Sequence, residues 1–346
     1  MLDDLKFIHQ RDGQDALGIA QKQHLQLEHS FEFLNSKLEV IDIQNVVYAG
    51  MGGSALAALL AKSWPGCKVP FEICRQYQIP SYVSSSSLFI AASYSGNTEE
   101  TIEALATAEA KGAQIVIIAS GGKLQEISSQ KKYPFLLLPK ADQPRYAVLA
   151  NLKAIVLILE TAGLLNTAQA TAEIHQAAGF LQSVVKTWLP TVPTNQNPAK
   201  KLAMELAGKS PVVYSGPLMA PAAYKWKINF NENAKNVAWW NELPEFDHNE
   251  LIGWSSHPTQ KPYEIIELRS KLEHPRVQKR FAVGEKVLSG LRPAPNVVEV
   301  HGETLLEHLL WAVNFGDFVS IYLALLNNVN PAPVDLVEKF KQELNT

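Results

Sequence analysis

The sequence predicts an α/β protein of two halves, each a mainly parallel sheet flanked by helices. Its 346 residues exceed one ordinary core and suit two domains. Short β-rich apolar runs alternate with longer helical stretches, the mark of parallel α/β layers. A segment rich in Pro, Thr and Asn at 190–198 separates two such series.

In the first series, strands are expected at 46–49, 71–73, 88–92, 114–118 and 135–138, with helical patterns starting at Ser54, Thr98 and Lys123. Apolar-periodic stretches at 146–165 and 167–188 read as connecting helices. The second series offers strands at 211–214, 237–240, 263–268 and 297–301, with helices around 220–230, 274–288 and 303–327. The tail, 333–344, reads as a short amphipathic helix opened by proline. The expected division is therefore a first domain with flanking helices over 1–189, a linker at 190–199, and a second domain over 200–346.

Composition narrows the function. Hydrophobic residues make up 47% and charged residues 19%, as in a packed globular chain. The net charge of -3 offers no field to attract nucleic acid or an anionic membrane. An anionic substrate must then be held by local donors. Cys67 and Cys74 lack metal or redox spacing and read as small buried hydrophobes. The polar N-terminus does not resemble a signal peptide. No apolar run is expected to reach the ~20 residues of a membrane helix, so a cytoplasmic location is expected.

Two strand–turn–helix segments carry the functional signal. The first, VVYAGMGGSALAA at 46–58, runs from an apolar strand through glycines into a helix. Glycines let backbone N–H groups approach a ligand, and a helix start favours an anion. Gly50, Gly52 and Ala55 also fit a dinucleotide fingerprint, with Glu72 placed for a ribose contact, and a plain tight turn would serve as well. The second segment, LFIAASYSGNT at 88–98, sets three hydroxyls, Ser93, Ser95 and Thr98, around a helix start beside Gly96. A helix cap needs one such oxygen. Three hydroxyls and a glycine suit a phosphate, with its several acceptors.

The chemistry-bearing candidates follow. Glu232 lies within NFNEN beside the aromatic run VAWW, where partial desolvation would raise a carboxylate pKa; a solvated loop carboxylate is the plain alternative. His248 sits in an acidic loop and reads as a proton carrier or as a surface histidine. Arg145 follows Pro144 before a helix and would steady a developing oxyanion if it entered the cleft. Lys341 shares one side of the tail helix with Glu338.

The hydroxyl loop resembles the signature of the sugar isomerase (SIS) domain family. Across the chain, GMGGS at 50–54, SYSGNT at 93–98, PR at 144–145, NEN at 231–233, HNELIGW at 248–254 and the ending at 316–341 together resemble the bifunctional phosphoglucose/phosphomannose isomerases. That resemblance implies two SIS domains and a phosphate held by Gly52, Gly53, Ser54, Ser93, Ser95 and Thr98. It implies Glu232 as the base that moves a proton between C1 and C2 through a cis-enediol, with Arg145 steadying the enediolate. His248 and Lys341 would serve ring opening and closing, His248 reaching the site from the partner in a homodimer. The substrate implied is a hexose 6-phosphate, with no metal and no cofactor, because the reaction relocates a proton internally. Two departures stand out: an alanine- and leucine-rich 55–61, and Ala332 where many members carry threonine between prolines. A sugar-phosphate-sensing regulator would use the same domain but needs a basic DNA-reading helix pair, which 1–45 does not offer.

Overall fold

A computed structural model describes residues 1–141, 143–165, 169–256 and 262–344. It divides into two compact units: a first, Gln23–Gly179, and a second that joins Met1–Lys22 to Phe180–Thr346. The expected boundaries differ from this division. The N-terminal residues and the expected linker both belong to the second unit because polar contacts tie them there. The Lys200 ammonium, buried, donates to Asp3 at 3.1 Å and to the carbonyls of Pro190 and Val192 at 2.8 Å each. Asn314 donates to the carbonyl of Ala20 at 2.9 Å.

In chain order, α1 (Leu5–Arg11) and α2 (Ala16–Gln21) precede α3 (His24–Glu28), which opens the first unit. There follow β1 (Asn45–Ala49), α4 (Gly52–Ser63), β2 (Phe71–Cys74), β3 (Ser87–Ser93), α5 (Glu99–Ala110), β4 (Gln114–Ala119), α6 (Gly122–Lys131), β5 (Phe135–Leu137), α7 (Val148–Thr161) and α8 (Ala170–Val184). The predicted strands fall within a residue or two of these. The stretch predicted from 167 begins outside the described residues. All five strands are parallel in the order β2-β1-β3-β4-β5. β3 is buried along its whole length and β1 along nearly all of it, as expected of a sheet covered on both faces. The alanines of α4, Ala55, Ala57, Ala58 and Ala61, are fully buried, and α4 packs against α7. The small side chains that depart from the family pattern thus let this helix lie close.

The second unit continues with α9 (Pro198–Leu206), β6 (Ser210–Ser215), α10 (Ala220–Glu232), β7 (Trp239–Glu242), α11 (Phe246–Gly253), β8 (Tyr263–Arg269), α12 (Pro275–Val287), β9 (Asn296–Glu299), α13 (Leu305–Leu326) and α14 (Asp335–Leu344). Its parallel sheet has the order β7-β6-β8-β9. This is the order of the first four strands of the other sheet. Along this stretch two helices went unread in the sequence, as did α1–α3 before it. α9 starts on the expected linker, where Asn197 caps it through the amides of Ala199 and Lys200. α11 covers the stretch taken for an acidic loop.

α13 corrects a further expectation. An 18-residue stretch of this 22-residue helix has a mean hydropathy of 1.7, enough in length and composition to cross a membrane, yet 94% of that stretch is buried inside the protein. It is the core helix of its unit, packed on α2, α9 and α10. Gly316 leaves the room that Trp226 of α10 fills, and the indole N–H donates to the carbonyl of Ala312 at 2.7 Å. The same contact buries charge. Lys225 pairs with Asp317, Asn229 donates to that carboxylate at 2.7 Å, and Asn233 donates to Ser320 at 2.9 Å. Lys225, Asn229 and Asn233 recur every four residues, so one stripe of α10 is pinned along α13. Asp317→Ala should cost about 3–5 kcal/mol in urea unfolding, because it strands a buried ammonium, whereas Lys225→Met with Asp317→Leu should recover most of that loss.

Candidate active site

In open α/β sheets, ligands bind beyond the carboxyl ends of the strands where the strand order reverses. In the first unit that point lies between β1 and β3, with Ala49 paired to Ala91. The two motifs singled out in the sequence follow these two strands directly, which brings Gly52, Gly53 and Ser54 to the same edge as Ser93, Ser95 and Thr98. α4 has no side-chain cap, so amides of its first turn remain for an anion. Gly52 has φ +49°, a conformation glycine adopts without strain.

The hydroxyls form one cluster. Ser93 Oγ lies 2.7 Å from Thr98 Oγ1 and 3.5 Å from Ser95 Oγ, and it also accepts the Gly96 amide at 3.2 Å. Ser95 accepts the amide of Asn97 at 3.2 Å. Thr98 stands at the N-cap of α5, but its hydroxyl makes no cap bond and turns to Ser93 instead. Ser93 is buried, Thr98 half-buried and Ser95 exposed, so the cluster grades from core to solvent.

A neighbouring turn locks this loop, and the sequence reading missed it. A Cβ at Gly96 (φ +72°) would lie 1.8 Å from the carbonyl oxygen of Gly121. Asn97 accepts the amide of Lys123 at 3.0 Å, and Ser120 donates its hydroxyl to the carbonyl of Tyr94 at 2.6 Å. The signal available was the glycine pair Gly121–Gly122 directly after β4.

Arg145 joins the same edge. A Cβ on Gly53 would lie 2.8 Å from the Pro144 carbonyl oxygen and 3.2 Å from the Arg145 nitrogen, so only glycine lets this turn pass so close. Arg145 is 2% exposed, not the surface arginine its sequence context suggests. Its guanidinium lies 4.7 Å from the centre of the Tyr146 ring, and it donates to Gln143 at 3.4 Å. Beneath the turn, Asn151 donates to the Tyr48 hydroxyl at 3.1 Å, and that hydroxyl donates to the Ser54 carbonyl at 2.9 Å. Complete burial pushes the Tyr48 phenol far above its ordinary pKa, so it stays neutral. Glu72, the residue of the dinucleotide reading, is exposed and takes a hydrogen bond from Tyr82.

In the second unit, Glu232, His248 and Lys341 stand on three different helices. Glu232 ends α10 and is half-buried. Its neighbours are structural: Asn231 accepts the amide of Ala238 at 3.2 Å, and Asn233 is fully buried on Ser320. Lys235 donates to the carbonyls of Glu232 and Asn330, each at 2.8 Å, and so ties the helix end to the proline-rich segment near Ala332. His248 is exposed, and it lies on α11, not in a loop, because the chain turns helical at Phe246, which is buried in the core. The acidic residues around it are engaged elsewhere. Asp247 binds Arg280 at 2.6 Å, while Glu250 takes hydrogen bonds from Tyr214 and Asn241. Lys341, exposed on α14, donates to Glu338 at 2.8 Å.

Two parallel sheets of one strand order, with a hydroxyl-lined turn at the first switch point, define a two-domain SIS protein. Residues 195–344 match the family described as Bacterial phospho-glucose isomerase C-terminal SIS domain. The chain is 32% identical to the bifunctional phosphoglucose/phosphomannose isomerase of Caldicellulosiruptor bescii, over 92% of this chain and 96% of that protein. It is also 31% identical to the D-glucosamine-6-phosphate 4-epimerase of Sulfolobus acidocaldarius, over 66% of this chain and 70% of that protein. In fold it is similar to the crystal structure of a glucose-6-phosphate isomerase like protein from Thermus thermophilus, with a TM-score of 0.65, 19% identity, and coverage of 99% and 98% of the two chains. The chain belongs to the bifunctional phosphoglucose/phosphomannose isomerase family.

Proposed function

We propose that the protein interconverts glucose 6-phosphate and mannose 6-phosphate with fructose 6-phosphate. The observation that carries this reading is the Ser93–Ser95–Thr98 hydroxyl cluster at the switch point of a chain of this family. The phosphate sits on those hydroxyls and on the opposite wall formed by Gly52, Gly53 and Ser54. Arg145, buried in the turn against Gly53, brings a fixed positive charge to the same edge. A charge already held in place stabilises a developing enediolate without reorganising.

Glu232 takes the proton from C2 of the aldose and returns it to C1, while the hydroxyl proton passes from O2 to O1. Its partial burial at a rigid helix end suits a base that must hold one position. His248 and Lys341 open and close the sugar ring. His248 is exposed on its own chain, which fits donation to the site of a partner in a homodimer. We place the enzyme in the cytoplasm, in glycolysis and gluconeogenesis. The 4-epimerase relative supports a second reading, action on another sugar phosphate, which parallel assays with glucosamine 6-phosphate separate from the first.

Removing the hydroxyls tests the anchor. Ser95→Ala with Thr98→Val should weaken binding of 6-phosphogluconate by about 1.5–3 kcal/mol per lost hydrogen bond to the charged group. Calorimetric titration reads this directly, and unchanged affinity would place the phosphate elsewhere.

The base is tested with solvent isotope. The wild type should wash deuterium from heavy water into C2 of glucose 6-phosphate, followed by NMR, because a proton held on a carboxylate exchanges before its return. Glu232→Gln keeps shape and phosphate binding but should lose roughly 100- to 10,000-fold in turnover and the isotope exchange with it. Near-normal turnover in that variant would move the base to Glu242 or Glu245. Subunit exchange between inactive His248→Ala and Glu232→Gln proteins should restore partial activity, since one site of each mixed dimer is then intact. Verified mixed dimers without activity would mean that each site is built from one chain.

A further inference from the structure

The two sheets share one strand order, so their switch points can be superposed residue by residue from strand pairing. Ala49 pairs with Ala91 in the first unit, and Ser215 pairs with Leu268 in the second. Counting outward from those pairs, Gly50 corresponds to Gly216, and Gly52 and Gly53 correspond to Leu218 and Met219. Ser93 corresponds to Ser270, and Gly96 to Glu273. The second unit therefore repeats the frame of the phosphate cradle, with a glycine after its first strand and a buried serine after its third. The hydroxyls are not all kept, since Ser95 and Thr98 correspond to Leu272 and Pro275. Where the first unit has Gly96, with no side chain, the second has a glutamate.

That glutamate lies where a phosphate would. Glu273 is 4% exposed and accepts the Leu218 amide at 2.8 Å, while the neighbouring Met219 amide donates to the Gly216 carbonyl at 3.1 Å. A Cβ on Gly216 would lie 2.4 Å from the carboxyl carbon, so the glycine leaves the space the carboxylate fills. The serine is also committed, since Ser270 Oγ lies 2.8 Å from Nδ1 of the buried His308 and accepts the Leu272 amide at 3.1 Å.

We infer that Glu273 is an internal stand-in for phosphate, a carboxylate that fills the anion cradle of the second unit and closes it to sugar phosphates. The chain thereby binds one phosphate, in the first unit, although its fold contains two cradles. A carboxylate tethered by its own backbone excludes a free anion in two ways. It occupies the amides, and its negative charge repels a second anion in a low-dielectric site. Burial pushes the Glu273 carboxyl above its ordinary pKa, the backbone amides of Leu218 and Met219 oppose that rise, and nearby Glu242 adds to it. The inference borrows its analogy from the phosphate reading of the first unit, so the test reads the two cradles separately.

Amide NMR of the full-length protein, titrated with inorganic phosphate, provides that test. In the wild type, Gly52 and Gly53 should shift while Leu218 and Met219 stay still. Glu273→Ser empties the second cradle. Leu218 and Met219 should then respond, calorimetry should count two phosphates per chain, and saturating phosphate should add roughly 2–4 °C to the melting temperature relative to the wild type's own response. Glu273→Gln keeps the cradle filled and should gain no second phosphate. A wild-type response at Leu218 and Met219, a folded Glu273→Ser protein without one, or an equal gain in Glu273→Gln would each overturn the inference. If Glu273→Ser does not fold, the wild-type titration decides alone. Silence at Gly52 and Gly53 would remove the phosphate reading of the first unit and leave the role of Glu273 standing.

Discussion

The reversal of strand order at the middle of each parallel sheet is the constraint on which the rest depends. Strands β1 and β3 are neighbours, but the connections that leave their carboxyl ends run to opposite sides of the sheet. The reversal separates two turns and two helix starts at one edge, and nothing in the regular hydrogen-bonding of the sheet fills the gap between them. Everything proposed for phosphate binding in this protein occupies that gap. Its width is set by backbone. Gly50 approaches the Ala92 carbonyl, Gly53 lies under Pro144, and Gly96 lies against Gly121, each too closely for any side chain. The glycines are thus less a flexible loop than a set of contacts that hold the hydroxyls and Arg145 in place.

The second unit meets a different demand, because the proposed base, Glu232, must be held still without being neutralised. α10 is held along its buried side. Its buried stripe of Lys225, Asn229 and Asn233 is fixed by Asp317 and Ser320 of α13. A buried ion pair adds little net stability over a well-packed apolar pair, because desolvation offsets most of the attraction. Its value here is positional: a charged pair with an added amide has one good arrangement, whereas apolar side chains at the same helix contact could slide by a turn. The register of α10 on α13 sets where its last residue, Glu232, ends up.

The two units also share one frame and differ in what fills it. The position after the third strand decides the outcome. Glycine leaves the amides of the first cradle for a ligand, and glutamate supplies the second cradle with its own anion. The difference lies in a few side chains of otherwise corresponding turns, so the asymmetry of the enzyme costs little change of fold.

By itself the sequence determined the class of fold, the positions of all nine strands among the described residues, and the two turns at the first switch point. Those signals are local: apolar runs of strand length, glycines where the backbone must approach, and three hydroxyls within six residues of chain. Only the tertiary structure decided that Arg145 is buried, that α11 is a helix, that Met1–Lys22 belongs with the distant half, and that Glu273 fills an anion cradle. Each of these rests on partners far apart in sequence. Lys225 and Asp317 are 92 residues apart, Leu218 and Glu273 55, and Ala20 and Asn314 294. A lone lysine, glutamate or arginine in a sequence reads as a surface residue because burying a charge is costly. What offsets that cost is a partner brought close by the fold, and such proximity leaves no mark on the residues nearby in the chain.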